Sequence, residues 1–183
     1  MIHVIDYGLG NVQAILALYK CLGIGATRAK TSADLTGASK IILPGVGSFD
    51  HSIELLNKSG MRQALEHLVL QDKVPVLGIC VGMQMLFSAS EEGTLPGLGW
   101  IPGRVCSFRS NEKSSNLPVP HMGWNAVELR DEHPVFEGIP AGSYFYFVHS
   151  YYADPANDEW VAGTTAYGVE FASVVAKDNV VAT

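Results

Sequence analysis

The first half of the chain alternates short apolar runs with amphipathic helical patterns. Residues 2–6, 40–43 and 74–77 are largely apolar runs that predict buried strands. Between them, residues 12–23 and 61–69 place apolar side chains every three or four positions, the spacing of a helix with one buried face. Strands joined by helices run parallel, because each helix returns the chain to the same edge of the sheet. The alternation therefore predicts a parallel sheet covered by helices.

Beyond about residue 90 the pattern changes to short β segments, some of which are expected to pair antiparallel. The segment 110–116 is polar and predicts a structureless surface loop. We expect a single domain over residues 1–183: an α/β fold with an open, mixed, mainly parallel sheet flanked by helices and a β-rich second half. The predicted β segments of that half are 104–108, 125–129, 143–148, 159–165, 169–176 and 180–183.

Composition and charge exclude several classes of protein. A hydrophobic fraction of 48% with 16% charged residues is typical of a packed globular chain. The net charge of −6, without a cluster of Lys and Arg, argues against nucleic acid as the main partner. Cys21, Cys80 and Cys106 are too far apart to give a disulfide framework or zinc-ligand spacing, so no metal site is predicted. No cofactor is predicted either. Neither a membrane-length apolar run nor a secretory signal is recognisable, and a cytoplasmic location is expected.

Cys80 lies at a predicted strand-to-helix turn, in the segment 78–82 (Gly-Ile-Cys-Val-Gly). Glycines on both sides allow a tight turn that displays the thiol above the sheet edge, as in enzymes with a nucleophile elbow. A helix predicted from Val81 to about Ser88 would direct its first N–H groups at the sulfur, lower the thiol pKa and favour the attacking thiolate. The alternative is a buried cysteine that only fills space, which is common after an apolar strand.

Glycine-rich loops follow the other two predicted strands. Ligands of open α/β sheets bind beyond the carboxyl ends of the parallel strands, where this chain has residues 7–11 and 44–49. Pro44 and Gly45 are expected to end the second strand, and the glycines after it free the backbone to aim N–H groups at the oxyanion of an acyl transfer. An ordinary tight turn is the alternative for this segment.

Five segments, in the same order along the chain, resemble those of the class I (triad-type) glutamine amidotransferases, and the resemblance runs from Ile2 to Thr183. Two of the five resemble the glutaminase subunits that serve histidine biosynthesis. The resemblance implies a flavodoxin-like fold and the release of ammonia from L-glutamine. The general segments are 77–87, 43–47 and 6–11; the two narrower ones are 120–125 (Pro-His-Met-Gly-Trp-Asn) and 146–151 (Tyr-Phe-Val-His-Ser-Tyr).

The resemblance also implies roles for individual residues. Cys80 would attack the side-chain amide of glutamine and form a glutamyl thioester, which water hydrolyses to glutamate. Backbone N–H groups near Val46 or Gly47 and at Val81 would hold the oxyanion. The glutamine site would include Gln84, Glu92, Ser150 and Tyr151.

A partner subunit is implied as well, a (β/α)₈-barrel cyclase in a heterodimer. It would receive the ammonia without loss to water and make imidazole glycerol phosphate and an aminoimidazole carboxamide nucleotide. Asn11, Trp124 and Tyr146 fall where the family meets this partner. Packing in the core is the alternative for Trp124, and a half-buried strand with its tyrosines toward water is the alternative for Tyr144 and Tyr146.

The catalytic base is missing from the resemblance. The family continues after its last strand into a Gln-Phe-His-Pro-Glu segment that supplies the histidine and carboxylate of the triad, whereas this sequence ends at Thr183. We therefore expect a domain that lacks its C-terminal end and lacks normal glutaminase activity. The family has counterparts of His149 and His121 beside its catalytic histidine, so structural or substrate-positioning roles are expected for both.

Two other functions fit parts of the pattern. A cysteine hydrolase or redox chaperone of flavodoxin-like fold also carries a cysteine on such a turn, but it does not explain Gln84 together with residues 44–47. A non-catalytic interaction subunit agrees with the missing base and predicts that Cys80 reacts with glutamine analogues no faster than free cysteine does. Amidotransferase subunits for anthranilate or pyridoxal phosphate synthesis are disfavoured by the segments 120–125 and 146–151.

Overall fold

The computed structural model describes residues 1–130 and 133–183. In this part of the chain, eleven strands form one mixed sheet and two more form a separate antiparallel ribbon. The strands are β1 (Ile2–Ile5), β2 (Ala26–Ala29), β3 (Lys40–Gly45), β4 (Val76–Cys80), β5 (Ala89–Ser90), β6 (Gly103–Ser107), β7 (His121–Ala126), β8 (Glu128–Leu129), β9 (Tyr144–His149), β10 (Tyr151–Pro155), β11 (Val161–Tyr167), β12 (Val169–Lys177) and β13 (Val180–Ala182).

The large sheet has the order β2-β1-β3-β4-β13-β12-β10-β6-β5, and β11 pairs with both β12 and β8. It is parallel from β2 to β13 and antiparallel from β13 to β6. The second sheet consists of β7 and β9 alone, which we call the β7–β9 ribbon. The helices are α1 (Val12–Cys21), α2 (Phe49–Lys58), α3 (Arg62–Glu66), which a π-helical turn (His67–Gln71) continues, and α4 (Val81–Met85).

The parallel strands are buried on both faces because their side chains alternate. Ile41 and Leu43 belong to the main core, which α2 and α3 cover, whereas Ile42 between them packs with Val4 and Val12 under α1. The predicted fold class, a mixed sheet flanked by helices with a β-rich second half, is confirmed. None of the helices in residues 1–130 and 133–183 is long and apolar enough to cross a membrane.

Two predictions for the segment after β3 are wrong. The strand does not stop before Pro44 but pairs with β4 through Gly45. β1 pairs with β3 only as far as Ile42, so Pro44 lies where that edge of β3 is free and a missing N–H is tolerated. No helix was predicted between residues 49 and 61, whereas Phe49–Lys58 form α2, which buries Phe49 and Ile53 at helical spacing.

Several boundaries in the second half also differ. β7 begins at His121, four residues earlier than predicted, and β10 was not predicted, because its aromatic and polar residues give no clear alternation. α4 ends at Met85 instead of near Ser88. The segment 110–116 is not structureless, since Ser114 is fully buried and its hydroxyl donates to the Phe108 carbonyl oxygen at 2.7 Å.

Candidate active site

Cys80 ends β4 with φ +57° and ψ −119°, a strained backbone conformation for a residue other than glycine. Such conformations cost about 1–3 kcal/mol and persist where the surrounding structure enforces them. The flanking glycines let neighbouring atoms pack closely enough around the turn to hold this conformation. A Cβ on Gly82 would overlap the Leu43 carbonyl oxygen, and a Cβ on Gly78 would lie 2.9 Å from the Leu86 side chain. The tight turn predicted from the sequence is therefore present.

The ionisation of the Cys80 thiol differs from the sequence prediction. Burial raises the pKa of the thiol; a hydrogen bond from the Val81 N–H opposes this rise, and the negative charge of Glu92 adds to it. The side chain still has solvent-exposed surface, yet protein atoms displace much of the water around the sulfur, and one N–H group does not compensate. α4 is only five residues long, so its dipole is small. The predicted lowering of this pKa is wrong, and the neutral thiol needs a base.

The segment after Gly45 lies beside the thiol turn, because Gly45 pairs with Cys80 across β3 and β4. Val46 is 53% exposed, and Gly47 has φ +93°, a conformation that glycine adopts readily. The Val81 N–H lies near enough to the sulfur to oppose the rise that burial causes in the thiol pKa. The chain and the register of the sheet thus bring the three residues expected to hold the oxyanion close to the nucleophile.

Tyr7 is a site residue that the sequence analysis missed. It follows β1 at the same edge of the sheet, and its buried hydroxyl donates to the Pro44 carbonyl oxygen at 2.9 Å. Burial raises the pKa of this phenol to about 12, so it stays a hydrogen-bond donor at neutral pH. The signal in the sequence was an aromatic residue directly after a strand at the ligand-binding edge. Its contact fixes the backbone immediately before Gly45.

Cys80 lines a cavity of about 450 Å³ whose walls are mostly apolar. Gln84 and Tyr151, two of the four residues predicted to bind glutamine, are in these walls, whereas Ser150 and Glu92 are not. The remaining walls come chiefly from β9, β10 and β12, which only the folded structure brings to the end of β4. The tertiary structure thus brings part of the predicted glutamine site to the nucleophile.

Gln84 lies one helical turn after Cys80 and presents an unsatisfied acceptor. Its Oε1 is buried and has no hydrogen-bond partner in the described part of the chain. Leaving a buried carbonyl unpaired costs about 1–3 kcal/mol. A ligand N–H group in the cavity would remove this cost, which fits the predicted role in binding an amide or amino group.

Glu92 and Ser150 make structural contacts outside the cavity walls. The Glu92 carboxylate accepts from the Phe49 N–H at 2.9 Å and so caps the start of α2. Burial raises the pKa values of Cys80 and Tyr151, and the charge of Glu92 adds to both shifts. The Ser150 carbonyl oxygen accepts from the Phe108 N–H at 3.2 Å. Both residues hold elements that carry the site.

Among the described histidines, His149 alone lines the cavity that contains Cys80. Its Nδ1 lies 2.8 Å from the Tyr151 carbonyl oxygen, and its Nε2 lies 2.9 Å from Nδ1 of His121. Both ring nitrogens are therefore occupied. Burial lowers the pKa of His149, while its bond to the Tyr151 backbone opposes the shift. This imidazole has no free nitrogen with which to take the thiol proton.

The β7–β9 ribbon presents an exposed aromatic face. Trp124 is 71% exposed and meets Tyr146 edge-on, with ring centroids 5.8 Å apart. Packing in the core is thus excluded for Trp124, and Tyr146 points to solvent. Asn11 is distant in sequence; it caps α1 by accepting from the Ala14 N–H at 3.1 Å, and it shares a surface hollow with Val46.

Comparisons with known proteins agree with this geometry. The family model of glutamine amidotransferase class-I matches residues 3–183. "Imidazole glycerol phosphate synthase subunit HisH" from Bdellovibrio bacteriovorus is 52% identical over 180 residues, which are 98% of this chain and 88% of the relative. The protein of the same name from Leptospira interrogans is 43% identical over 183 residues, covering 100% and 90%.

Solved structures show the same fold at low identity. A glutamine amidotransferase crystal structure has a TM-score of 0.75 at 18% identity and covers 100% of this chain and 87% of that chain. The structure of PurLQS from Thermotoga maritima has a TM-score of 0.71 at 16% identity, covering 98% and 84%. The family match covers nearly the whole sequence, and the structure contains a strained cysteine turn with a glycine segment facing it. This chain therefore belongs to the class I glutamine amidotransferases.

Proposed function

We propose that this chain is the glutaminase subunit of an imidazole glycerol phosphate synthase, acting in histidine biosynthesis. The observation that carries the proposal is the strained Cys80 turn, with Gly45 in register across from it and the unpaired Gln84 Oε1 in the same cavity. The relatives from Bdellovibrio and Leptospira support the choice of synthase, because they match 98% and 100% of the chain. We propose further that residues 1–183 form one amidotransferase domain.

The reaction begins when the Cys80 thiolate attacks the side-chain amide carbon of glutamine. The negative charge that develops on the amide oxygen is held by backbone N–H groups at Val46 or Gly47 and at Val81, each worth about 3 kcal/mol when well placed. The carbon–nitrogen bond breaks, the nitrogen gains a proton and leaves as ammonia, and a glutamyl thioester remains. Water then hydrolyses the thioester to glutamate and regenerates the thiol.

A general base is needed to take the proton from the Cys80 thiol, and a general acid is needed to give a proton to the leaving nitrogen. The described part of the chain offers no free imidazole nitrogen in the cavity, because both nitrogens of His149 hold hydrogen bonds. The raised pKa of Cys80 makes this need greater. We therefore propose that residues 1–130 and 133–183 bind glutamine and supply the nucleophile. Glutamine hydrolysis by these residues alone is expected to be much slower than in an enzyme with a complete catalytic triad.

The partner that receives ammonia is proposed to be the (β/α)₈-barrel cyclase subunit, bound to the exposed face of the β7–β9 ribbon and to Asn11. Exposed aromatic pairs such as Trp124 and Tyr146 are typical anchors of protein interfaces. Asn11 shares a surface hollow with Val46, in the segment proposed to hold the oxyanion, which supports its inclusion in this interface. The cytoplasmic location stays a prediction.

Covalent labelling of Cys80 tests the catalytic proposal without requiring turnover. The glutamine analogue 6-diazo-5-oxo-L-norleucine alkylates thiols, and iodoacetamide reports the reactivity of the thiol itself. We expect the analogue to label Cys80 at least about tenfold faster, relative to iodoacetamide, than it labels free cysteine. Cys80→Ser is the control that removes the adduct in mass spectrometry. Equal relative rates for Cys80 and free cysteine would favour the non-catalytic interaction subunit.

The partner proposal is tested by binding to the cyclase subunit. Trp124→Ala removes the most exposed large aromatic side chain of the ribbon and is expected to weaken binding about tenfold or more. Leu22→Ala is the matched control, since Leu22 is 60% exposed but follows the far end of α1 from Asn11. Equal affinities of the two variants would exclude the ribbon as the interface.

A further inference from the structure

A continuous hydrogen-bonded chain connects the β7–β9 ribbon to the strand that carries Tyr151. His121 on β7 and His149 on β9 lie opposite each other, and Nδ1 of the first is 2.9 Å from Nε2 of the second. At one end, His149 Nδ1 is 2.8 Å from the Tyr151 carbonyl oxygen. At the other end, His121 Nε2 is 3.3 Å from Asn125 Nδ2. The two imidazoles are therefore the middle links between fixed groups.

The two ends determine the direction of every bond. The Tyr151 carbonyl oxygen can only accept, so His149 carries a proton on Nδ1. The Asn125 amide is oriented by its own contacts, because its Oδ1 accepts from the next backbone N–H at 2.9 Å and its Nδ2 donates to the Ala166 carbonyl oxygen at 3.0 Å. His121 must then accept at Nε2 and donate from Nδ1. Only two neutral rings, both protonated on Nδ1, satisfy this order.

Aromatic side chains enclose the pair. His121 is 4% exposed and is stacked between Phe147 on β9 and Tyr167 on β11, with ring centroids 5.0 and 4.1 Å away. Phe108, which follows β6, and Phe171, which is on β12, each have a ring centroid 5.2 Å from that of His149. Tyr152 on β10 contacts both phenylalanine rings. The phenols of Tyr152 and Tyr167 are the titratable groups on this side.

The environment of the pair favours the neutral state that the bond order requires. Burial lowers the pKa of His121 to about 4, and the neighbouring His149 contributes to the shift. Burial also lowers the pKa of His149. Among the described residues, no carboxylate, lysine or arginine side chain contributes to either shift.

We propose that His121 and His149 are positioning residues that hold the Ser150–Tyr151 backbone in the place where glutamine binds. The inference rests on the proposed function, since this segment is where the amino-acid end of glutamine is expected. The Phe108 N–H holds the Ser150 carbonyl at 3.2 Å, and His149 holds the next one. The directions of both peptide groups are thereby fixed. Protonation of either ring replaces an acceptor with a donor and breaks the chain.

Nitrogen-15 NMR of the histidine side chains tests the bond order directly. At pH 7, both rings are expected to be protonated on Nδ1, the minority tautomer of a free imidazole, and neither is expected to titrate near pH 6.5. Protonation on Nε2, or titration of either ring near pH 6.5, would overturn the proposal. His51 is exposed and serves as the internal reference.

Two substitutions of His121 separate the hydrogen bond from the packing. His121→Phe keeps a ring between Phe147 and Tyr167 but removes the donor. His121→Asn removes the ring but keeps an N–H near the position of Nδ1. The readout is the labelling rate of Cys80 with 6-diazo-5-oxo-L-norleucine divided by its rate with iodoacetamide. We expect His121→Phe to lower this ratio about tenfold and His121→Asn to lower it less than about threefold, amounts that match the loss or weakening of one hydrogen bond.

The outcomes distinguish this inference from the proposed function. If the unsubstituted protein shows no preference for the analogue over iodoacetamide, the glutamine site itself is wrong. If it shows the preference and His121→Phe retains it, the positioning role is wrong while the proposed function stands. The reverse order of the two variants would show that ring packing, and not the donor, holds the segment. His51→Asn is expected to leave the ratio unchanged.

Discussion

Gly45 and Cys80 face each other in the parallel pair of β3 and β4, at the edge of the sheet where the nucleophile is displayed. A Cβ on Gly45 would lie 2.8 Å from the Val81 carbonyl carbon, with the backbone of Gly82 closer still. The end of β3 and the thiol turn are therefore in backbone contact. This contact explains why glycine occupies positions 45 and 82.

Gly45→Ala and Gly82→Ala are each expected to destabilise the fold by about 2–4 kcal/mol, because a methyl group would push β3 away from the thiol turn. The free energy of unfolding in urea measures this loss. Gly25→Ala is the matched control, since no atom lies within 4 Å of its added Cβ and its φ is not positive. A loss in the control equal to that in the two variants would refute the close-contact explanation.

Gln84→Met is expected to stabilise the protein by about 1 kcal/mol while reducing its preference for glutamine analogues. The substitution keeps a similar volume and removes a buried acceptor without a partner. Thermal unfolding gives the first effect, and the labelling ratio of Cys80 gives the second. Gln63→Met, at an exposed position of α3, controls for the general effect of the substitution. A destabilised Gln84→Met would mean that its Oε1 is satisfied in solution.

The rate of Cys80 alkylation by iodoacetamide is expected to rise with pH through a midpoint above that of free cysteine. Burial, the largest cause, raises the pKa of this thiol, and only the thiolate attacks the reagent. Mass spectrometry of the peptide containing Cys80, across a series of pH values, gives the midpoint. A midpoint below that of free cysteine would restore the activation by the turn that the sequence suggested.

The stability of the fold is expected to fall as the pH decreases from about 6.5 to about 4. His121 has its pKa lowered from 6.5 to about 4 by burial, so in this window the unfolded chain binds a proton that the folded state excludes. Above pH 6.5, His121 is neutral in both the folded and the unfolded chain, so this loss of stability is absent. In His121→Phe the slope of unfolding free energy against pH should be smaller over the same window. An identical slope would place the titrating group elsewhere.

The alternation of strands and helices was readable because apolar periodicity reflects which side of each element is buried, and this local signal survives without tertiary information. Residues 2–6 and 40–43 gave β1 and most of β3 in this way. The prediction that Pro44 ends β3 was wrong because proline interrupts a strand only where a neighbouring strand needs an N–H at that position. Whether one does depends here on where β1 ends. β10 was missed because pairing with β6 and β12, not periodicity, makes it a strand.

The sequence by itself determined the Cys80 turn, since the flanking glycines are required wherever backbones approach so closely, and it determined the family through the order of its segments. Only the tertiary structure decided the state of the thiol, because the balance between desolvation and one N–H group depends on atoms from distant parts of the chain. The same holds for His121 and His149. Their tautomers follow from partners that the sheet brings together across 28 residues of sequence, and spacing along a chain carries no record of hydrogen-bond direction.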